Sequence, residues 1–427
     1  MISAVGALLG LAVAIFLIVR KFSPVYSLLL GAVIGGLAGG LGLETTVAQM
    51  ISGVKDITPA IVRILAAGVL SGVLIKTGAA ASIAHTIITR LGTRHLFLAL
   101  ALSAMLLTSV GVFIDVAVIT VAPIAILIAE RMGVSKFPML LALVAGGKCG
   151  NIISPNPNTI IAAENFDAPL SSVMAVNIVP AIIGLVLTVY LLIPLVNRRY
   201  KQGGSVASVS SQQTVDEHLP SFWASVAGPL VVILLLALRP TLQIAIDPLI
   251  ALPVGGFVAL AATRQWRRTT ESLSYGLEKM SVVAVLLVST GALAGIIKAS
   301  SLTQLLIAAL GNGAMAQLLA PLSGAMMSAA AASTTAGATI ASASFSQAIL
   351  ASGVTAVWGA ALVNVGATVL DHLPHGSFFH ATGGSMEMNI KERLRLIPYE
   401  TAVGLVLTIC SFVCFLLVGS RAVSDPF

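Results

Sequence analysis

The sequence predicts an all-α polytopic membrane protein built from two inverted repeats, each with about five transmembrane helices and one re-entrant helical hairpin. Three observations lead there. Hydrophobic residues fill 57% of the 427 positions and charged residues only 9%, with a mean hydropathy of +1.03, which is more apolar surface than a water-soluble core can hide. Apolar runs long enough to cross hydrocarbon recur from end to end, at 5–19, 23–42, 173–196, 222–238 and 398–419. The two halves also share a register of glycines: Gly53, Gly68 and Gly72 in the first match Gly276, Gly291 and Gly295 in the second, and Gly35-Gly36 matches Gly255-Gly256.

The first run, Met1 to Val19, has no basic segment before it and no small-residue cleavage site, so it reads as a retained helix rather than a signal peptide. It opens the first repeat, 1–196. That repeat holds a hairpin at about 96–133, interrupted by the polar stretch Thr108 to Asp115, and a broken helix at about 138–165, interrupted by Gly146 to Thr159. Pro155 and Pro157 remove two backbone donors inside that interruption. Residues 197–220, basic and then Ser/Gln-rich, read as a flexible cytoplasmic linker. The second repeat, 221–427, has the same plan: a hairpin at about 314–350 broken by Ser333 to Thr339, and a helix at about 354–380 broken by Asn364 to Ser377.

Basic residues set the direction of each copy. With the N-terminus outside and each repeat holding three crossings, a hairpin and two more crossings, seventeen Lys and Arg residues fall inside. Lys55, Arg63, Arg239, Lys298 and Arg421 fall outside. Equivalent segments then face opposite sides, and both termini lie outside. In that setting the net charge of +7 reflects membrane orientation rather than nucleic-acid binding, and the partner implied is the lipid bilayer. Cys149, Cys410 and Cys414 show no metal-ligand or redox spacing, so no metal and no cofactor is expected.

The four interruptions are where backbone groups lose helical partners and can face a solute. The candidate binding residues are Ser109, Gly111 and Asp115 in the first hairpin and Lys148, Asn151, Ser154, Asn156, Asn158 and Thr159 in the first broken helix. The second hairpin adds Ser333, Thr334, Thr335 and Thr339, and the second broken helix Asn364 and Ser377. Half-helix N-termini meeting at the midplane would favour an anion. Lys148, the one basic residue well inside the membrane, either meets the solute's carboxylate, pairs with a fixed one such as Asp115, or snorkels to the cytosolic side. Asp115 serves the site or caps its helix. Asp371, His372 and His375 form a titratable cluster suited to carrying a coupling proton, or else an interfacial loop.

At these breaks the chain resembles the gluconate permease family, proton-coupled symporters for gluconate and related small hydroxy or amino acids. Three stretches carry the likeness: Phe113-Ile-Asp-Val116, Ser154-Pro-Asn-Pro-Asn-Thr159, and Met388-Asn-Ile-Lys-Glu392 followed by Tyr399-Glu-Thr401. In place of the family's Ser-His-Val-Asn-Asp-Ser-Gly-Phe-Trp segment the chain reads Asp371 to Phe379, keeping His372 and the aromatic end, which marks a divergent member. The resemblance implies a secondary active transporter in the ion transporter superfamily. It also implies a homodimeric elevator with a scaffold and a moving transport domain, in a plasma membrane of the bacterial inner-membrane type. The expected activity is proton-coupled symport of a small organic anion such as gluconate, with His372 as proton carrier and Lys148 meeting the solute.

A sodium-coupled carboxylate carrier is the alternative, since Asn158-Thr159 and Ser333-Thr-Thr335 offer neutral oxygens. A channel would need a ring-forming filter or charged pore stripe, and the sequence has neither. An enzyme would need a nucleophile, base or metal set, and neither His-Glu-x-x-His nor Gly-x-Ser-x-Gly occurs.

Overall fold

A computed structural model describes residues 2–200, 219–242, 244, 246–302, 304–305 and 314–419. Most of the predicted linker and the C-terminal residues from 420 onward lie outside the described residues. Among the described residues the chain is helical and forms no sheet. That follows from composition: in hydrocarbon a helix satisfies its own backbone, whereas an open strand leaves donors unpaired.

The first half begins with α1 (Ala4–Val19), α2 (Pro24–Ala38) and the long α3 (Leu43–Lys76), followed by α4 (Ala79–Leu91). The first hairpin is α5 (Leu96–Ser109) and α6 (Ile114–Met132), and the broken helix is α7 (Lys136–Asn151) and α8 (Pro157–Asn165). Then α9 (Leu170–Val176), α10 (Ile178–Leu187) and α11 (Ile193–Arg199) form one 30-residue apolar span, Leu170–Arg199, that runs into the first residues of the predicted linker. The second half holds α12 (Phe222–Leu242), α13 (Pro248–Thr263), α14 (Thr269–Lys298) and a short α15 (Ala314–Gln317). The hairpin α16 (Leu319–Ala331) and α17 (Thr334–Ala351) follows, then α18 (Ala356–Gly366), α19 (Ser377–Ser385) and α20 (Ile390–Cys414).

Local chemistry sets the ends. Pro24, Pro157 and Pro248 occupy first helical positions, where a missing N–H costs nothing. Asn389 and Glu392 close α20 with a reciprocal capping box. Among the described residues, four helical stretches are long and apolar enough to cross a bilayer: Leu43–Lys76, Leu170–Arg199, Trp266–Lys298 and Ile390–Gly419. Shorter apolar helices, among them Ala4–Val19, Pro24–Ala38 and Pro248–Thr263, accompany them. Large side chains such as Phe16, Ile182, Leu191 and Ile409 remain exposed on the outside of the bundle, as a lipid-facing surface requires.

Two groups of helices pack around separate contacts. In one, α3 lies against α14, with α1 on α2, α12 on α13, α2 on α14 and α13 on α3. The α3–α14 contact runs antiparallel along glycines: a Cβ at Gly53 would sit 2.1 Å from the Gly291 carbonyl oxygen, and one at Gly276 2.0 Å from that of Gly68. No other residue fits there, so the backbones touch. Lys76–Glu271 (3.1 Å) and Lys298–Asp56 (3.2 Å) bind the two ends of the pair.

In the other group each hairpin packs against its own broken helix, α5 on α7 and α16 on α18. Gly146 and Gly366 make these approaches possible: a Cβ would lie 1.9 Å from the Ala101 oxygen and 2.1 Å from the Pro321 oxygen, respectively. The halves also interlock, because α6 contacts α19 and α17 contacts α8. The groups meet where α3 touches α8 and α14 touches α17. There the Arg63 guanidinium donates to Asp247 (2.8 Å) at the start of α13 and to Glu164 at the end of α8.

Candidate functional site

The first hairpin turns at 110–113 through Gly111, whose φ of +97° suits glycine. The second turns at Ala332, and Ser333 caps α17 by accepting the Ala336 amide (3.3 Å). Helix α7 stops at Asn151, and Asn156 restarts the chain as the cap of α8, accepting the Thr159 amide (3.0 Å). Helix α18 ends at Gly366 and α19 begins at Ser377.

These four interruptions surround a cavity of about 120 Å³. Phe113, Ile114 and Asp115 line it from the first hairpin, Asn151 and Asn158 from the first break. Ala332, Ser333, Thr334 and Thr335 come from the second hairpin, and Asp371, Ser377 and Phe378 from the second break. The N-termini of α6, α8, α17 and α19 therefore open onto one space, two from each half of the chain. Each carries the partial positive charge of unpaired amides. Asn151 adds a side-chain amide nitrogen that is buried and without a hydrogen-bond partner.

A polar chain ties the walls together across the halves. Thr335 donates to the Asn158 side-chain oxygen (2.6 Å). The Asn364 amide donates to Thr159 Oγ1 (3.1 Å), and Asn156 Nδ2 donates to the Asn151 side chain (2.5 Å). Hydrogen bonds of this kind across the halves favour one arrangement of a buried site.

Lys148 lies behind the wall, fully buried. Its ammonium has three protons and three acceptors: Asp371 Oδ1 (2.7 Å), the Thr368 carbonyl and His372 Nδ1 (3.1 Å). Its fixed partner is thus Asp371, not Asp115, and it does not snorkel. Asp115 sits on the cavity wall with Oδ1 accepting the Val116 amide (2.9 Å). Asp371 Oδ2 accepts from Thr334 (2.6 Å). With Nδ1 accepting from Lys148, the His372 proton belongs on Nε2, which faces the Ile397 carbonyl and Thr401 Oγ1, both at 3.1 Å. Beyond lies a second buried pair, Arg393–Glu400 (2.9 Å), with Arg393 also stacked over the Phe379 ring. Arg393, counted in the sequence among charges facing the cytosol, is 1% exposed.

Other candidates stand off the wall. Ser109 bonds the Leu106 carbonyl (2.9 Å), Thr339 the Thr335 carbonyl (2.6 Å), and His375 Nε2 faces the Ala330 carbonyl (3.2 Å). Ser154 is buried with no partner for its hydroxyl. Sequence reasoning missed Phe113, Ile114, Ala332 and Phe378 as lining, and Glu400 and Arg393 as buried charges. Phe113 and Glu400 lay inside the very stretches that carried the family likeness.

A sequence profile of the GntP family permeases matches residues 2–420. The chain belongs to the GntP permease family. An uncharacterised transporter of Haemophilus influenzae is 54% identical to this GntP chain over 415 residues, 97% of this chain and 98% of that one. A gluconate permease of Pseudomonas aeruginosa is 27% identical over 57% of this chain and 55% of its own. For the high-affinity gluconate transporter of Escherichia coli the figures are 26%, 49% and 47%. Among solved structures, the YdaH transporter of Alcanivorax borkumensis superposes with a TM-score of 0.66 over 90% of both chains at 16% identity, a likeness of fold. As a GntP permease the chain is a membrane transporter and not an enzyme.

Proposed function

We propose that this protein is a secondary active transporter that carries a small organic anion, a gluconate-like hydroxy acid, together with a proton. The observation that carries the reading is the cavity onto which four helix N-termini open, two from each half of the chain. Helix N-termini select negative charge, and hydroxyls such as Ser333, Thr335 and Ser377 suit a polyhydroxylated chain. The named gluconate permeases among its relatives support the same solute class.

The two halves act as inverted repeats in this reading. Support comes from the α3–α14 seam: the contact of Gly53 with Gly291 becomes that of Gly276 with Gly68 when register-equivalent residues are exchanged. A twofold relation between antiparallel membrane-crossing helices lies in the membrane plane, which inverts one repeat relative to the other. The α3–α14 group then serves as scaffold and the hairpins with their broken helices as the moving body of an elevator. The homodimer, the bacterial inner membrane, the cytoplasmic linker and the external termini belong to the same proposal.

The test is uptake of labelled glycerate, gluconate and related hydroxy acids into proteoliposomes, with pH and sodium gradients imposed separately. Accumulation driven by an inward proton gradient alone is expected. Accumulation driven by sodium alone would replace the coupling ion, and conductance without accumulation would overturn the transporter mechanism itself.

A further inference from the structure

We infer that Asp115, at the tip of the first hairpin, carries the coupling proton, and that its protonation is the condition for an anion to enter the cavity. The inference rests on the proton-coupled reading above and names the residue that performs the coupling.

Two carboxylates reach the cavity wall, Asp115 and Asp371. They are not equivalent. Asp371 is held as an anion by Lys148, and both its oxygens are taken, one by Lys148 (2.7 Å) and the other by Thr334 (2.6 Å). The buried groups Lys148, Asp371, Arg393 and Glu400 carry two positive and two negative charges, so with a neutral His372 the cluster balances. A proton added to His372 would leave a net charge in a fully buried site and remove Nδ1 as an acceptor for the Lys148 ammonium. His375 is bonded to a carbonyl away from the wall. The titratable cluster that the sequence singled out is therefore already committed.

Asp115 has no such commitment. Titratable groups on the elements around α6 are His85 and Arg90 on α4, Lys136, Lys148 and Cys149 on α7 and His380 on α19; helix α5 has none. Lys279 and Tyr275 of α14 act on it from farther off, and Asp371 faces it across the cavity. Among the described residues none of these lies within ion-pair distance of Asp115. One oxygen accepts the Val116 amide at the start of α6. A bound anion would compete for the same helix N-termini and repel that carboxylate. Protonation removes the repulsion and turns the carboxyl into a donor toward the solute. The proton comes from the side to which the cavity opens and leaves after the anion on the other side. One proton moves with each monoanion, so net charge transfer is zero.

The readout is pH dependence, not the level of activity. Binding of labelled gluconate to purified wild-type protein should weaken about tenfold per pH unit above the Asp115 pKa, the slope of a single linked proton. In a weakly buffered solution, gluconate binding should take up about one proton per anion. Asp115→Asn should flatten the pH dependence and abolish proton uptake, whereas Asp115→Glu should keep both with a shifted midpoint. A pH slope in Asp115→Asn equal to that of wild type would overturn the inference. So would an unmoved midpoint in Asp115→Glu, the deciding measurement if the Asn variant fails to fold. Wild-type protein that binds its anion without any pH dependence would overturn proton coupling itself. Failure to bind or accumulate any hydroxy acid would overturn the anion reading and this inference with it.

Discussion

Lys148 shows how far a single residue can be read from the chain. Its cost in hydrocarbon marked it as functional, and three partners suited it: a solute, Asp115, or water reached by snorkelling. The deciding fact is tertiary, the 2.7 Å contact with Asp371 from the other half of the chain. Lys148→Met should leave Asp371 as an unpaired buried charge and destabilise the fold by about 3–5 kcal/mol. Lys148→Met combined with Asp371→Asn should recover much of that loss, because a neutral pair carries no desolvated charge. Thermal denaturation in detergent of both single variants and the double variant checks this, and a Lys148→Met protein as stable as wild type would refute the pairing. Arg393 shows a related limit. Its positive charge is counted as cytosolic by rule, and the fold shows it buried against Glu400, two turns along the same face of α20, with Phe379 beneath it.

At the scale of elements, the interruptions were legible because backbone chemistry announces them. Paired prolines at 155 and 157 and polar runs at 108–115 and 333–339 forbid a plain apolar helix, and the helices end at 109, 151, 331 and 366. Which interruptions touch was not legible, since α6 meets α19 and α17 meets α8 across long stretches of chain that join the two halves. Helix lengths were not legible either: several of the apolar runs form helices of 10–17 residues, and the long helical stretches include α3, α14 and those that close each half. The glycine register fixes the one contact that the sequence implies most strongly. A side chain at Gly53 meets backbone atoms of Gly291 and Gly295 on α14, which cannot turn aside as a flexible side chain would. Gly53→Val should therefore separate α3 from α14 and lower the midpoint of thermal unfolding, and Gly276→Val should do the same at the reciprocal contact. Gly40, with open space around it but a φ of +94°, offers a contrast: its substitution strains the turn and leaves the seam intact. Loss of the α3–α14 contact should be read directly, as loss of disulfide formation between cysteines placed at Gln49 and Ala294, and full cross-linking in Gly53→Val would contradict the seam.

For the whole molecule, membrane residence and helical class follow from composition, and the GntP family from three short stretches at the breaks. The cavity follows from none of these alone. It exists because two similar halves each bring a hairpin tip and a broken helix to one place, so residues as distant as Asn158 and Thr335 share a hydrogen bond. The central claim is that both halves build one anion site. Equilibrium binding of labelled gluconate to purified protein, compared among wild type, Asn158→Leu, Thr335→Leu and Ser377→Leu, tests it most directly. The account predicts that every variant stays folded and that its Kd rises by about tenfold or more, a loss near 1.4 kcal/mol, whichever half carries the change. Unchanged affinity in both Thr335→Leu and Ser377→Leu, with Asn158→Leu weakened, would confine the site to the first half and contradict it.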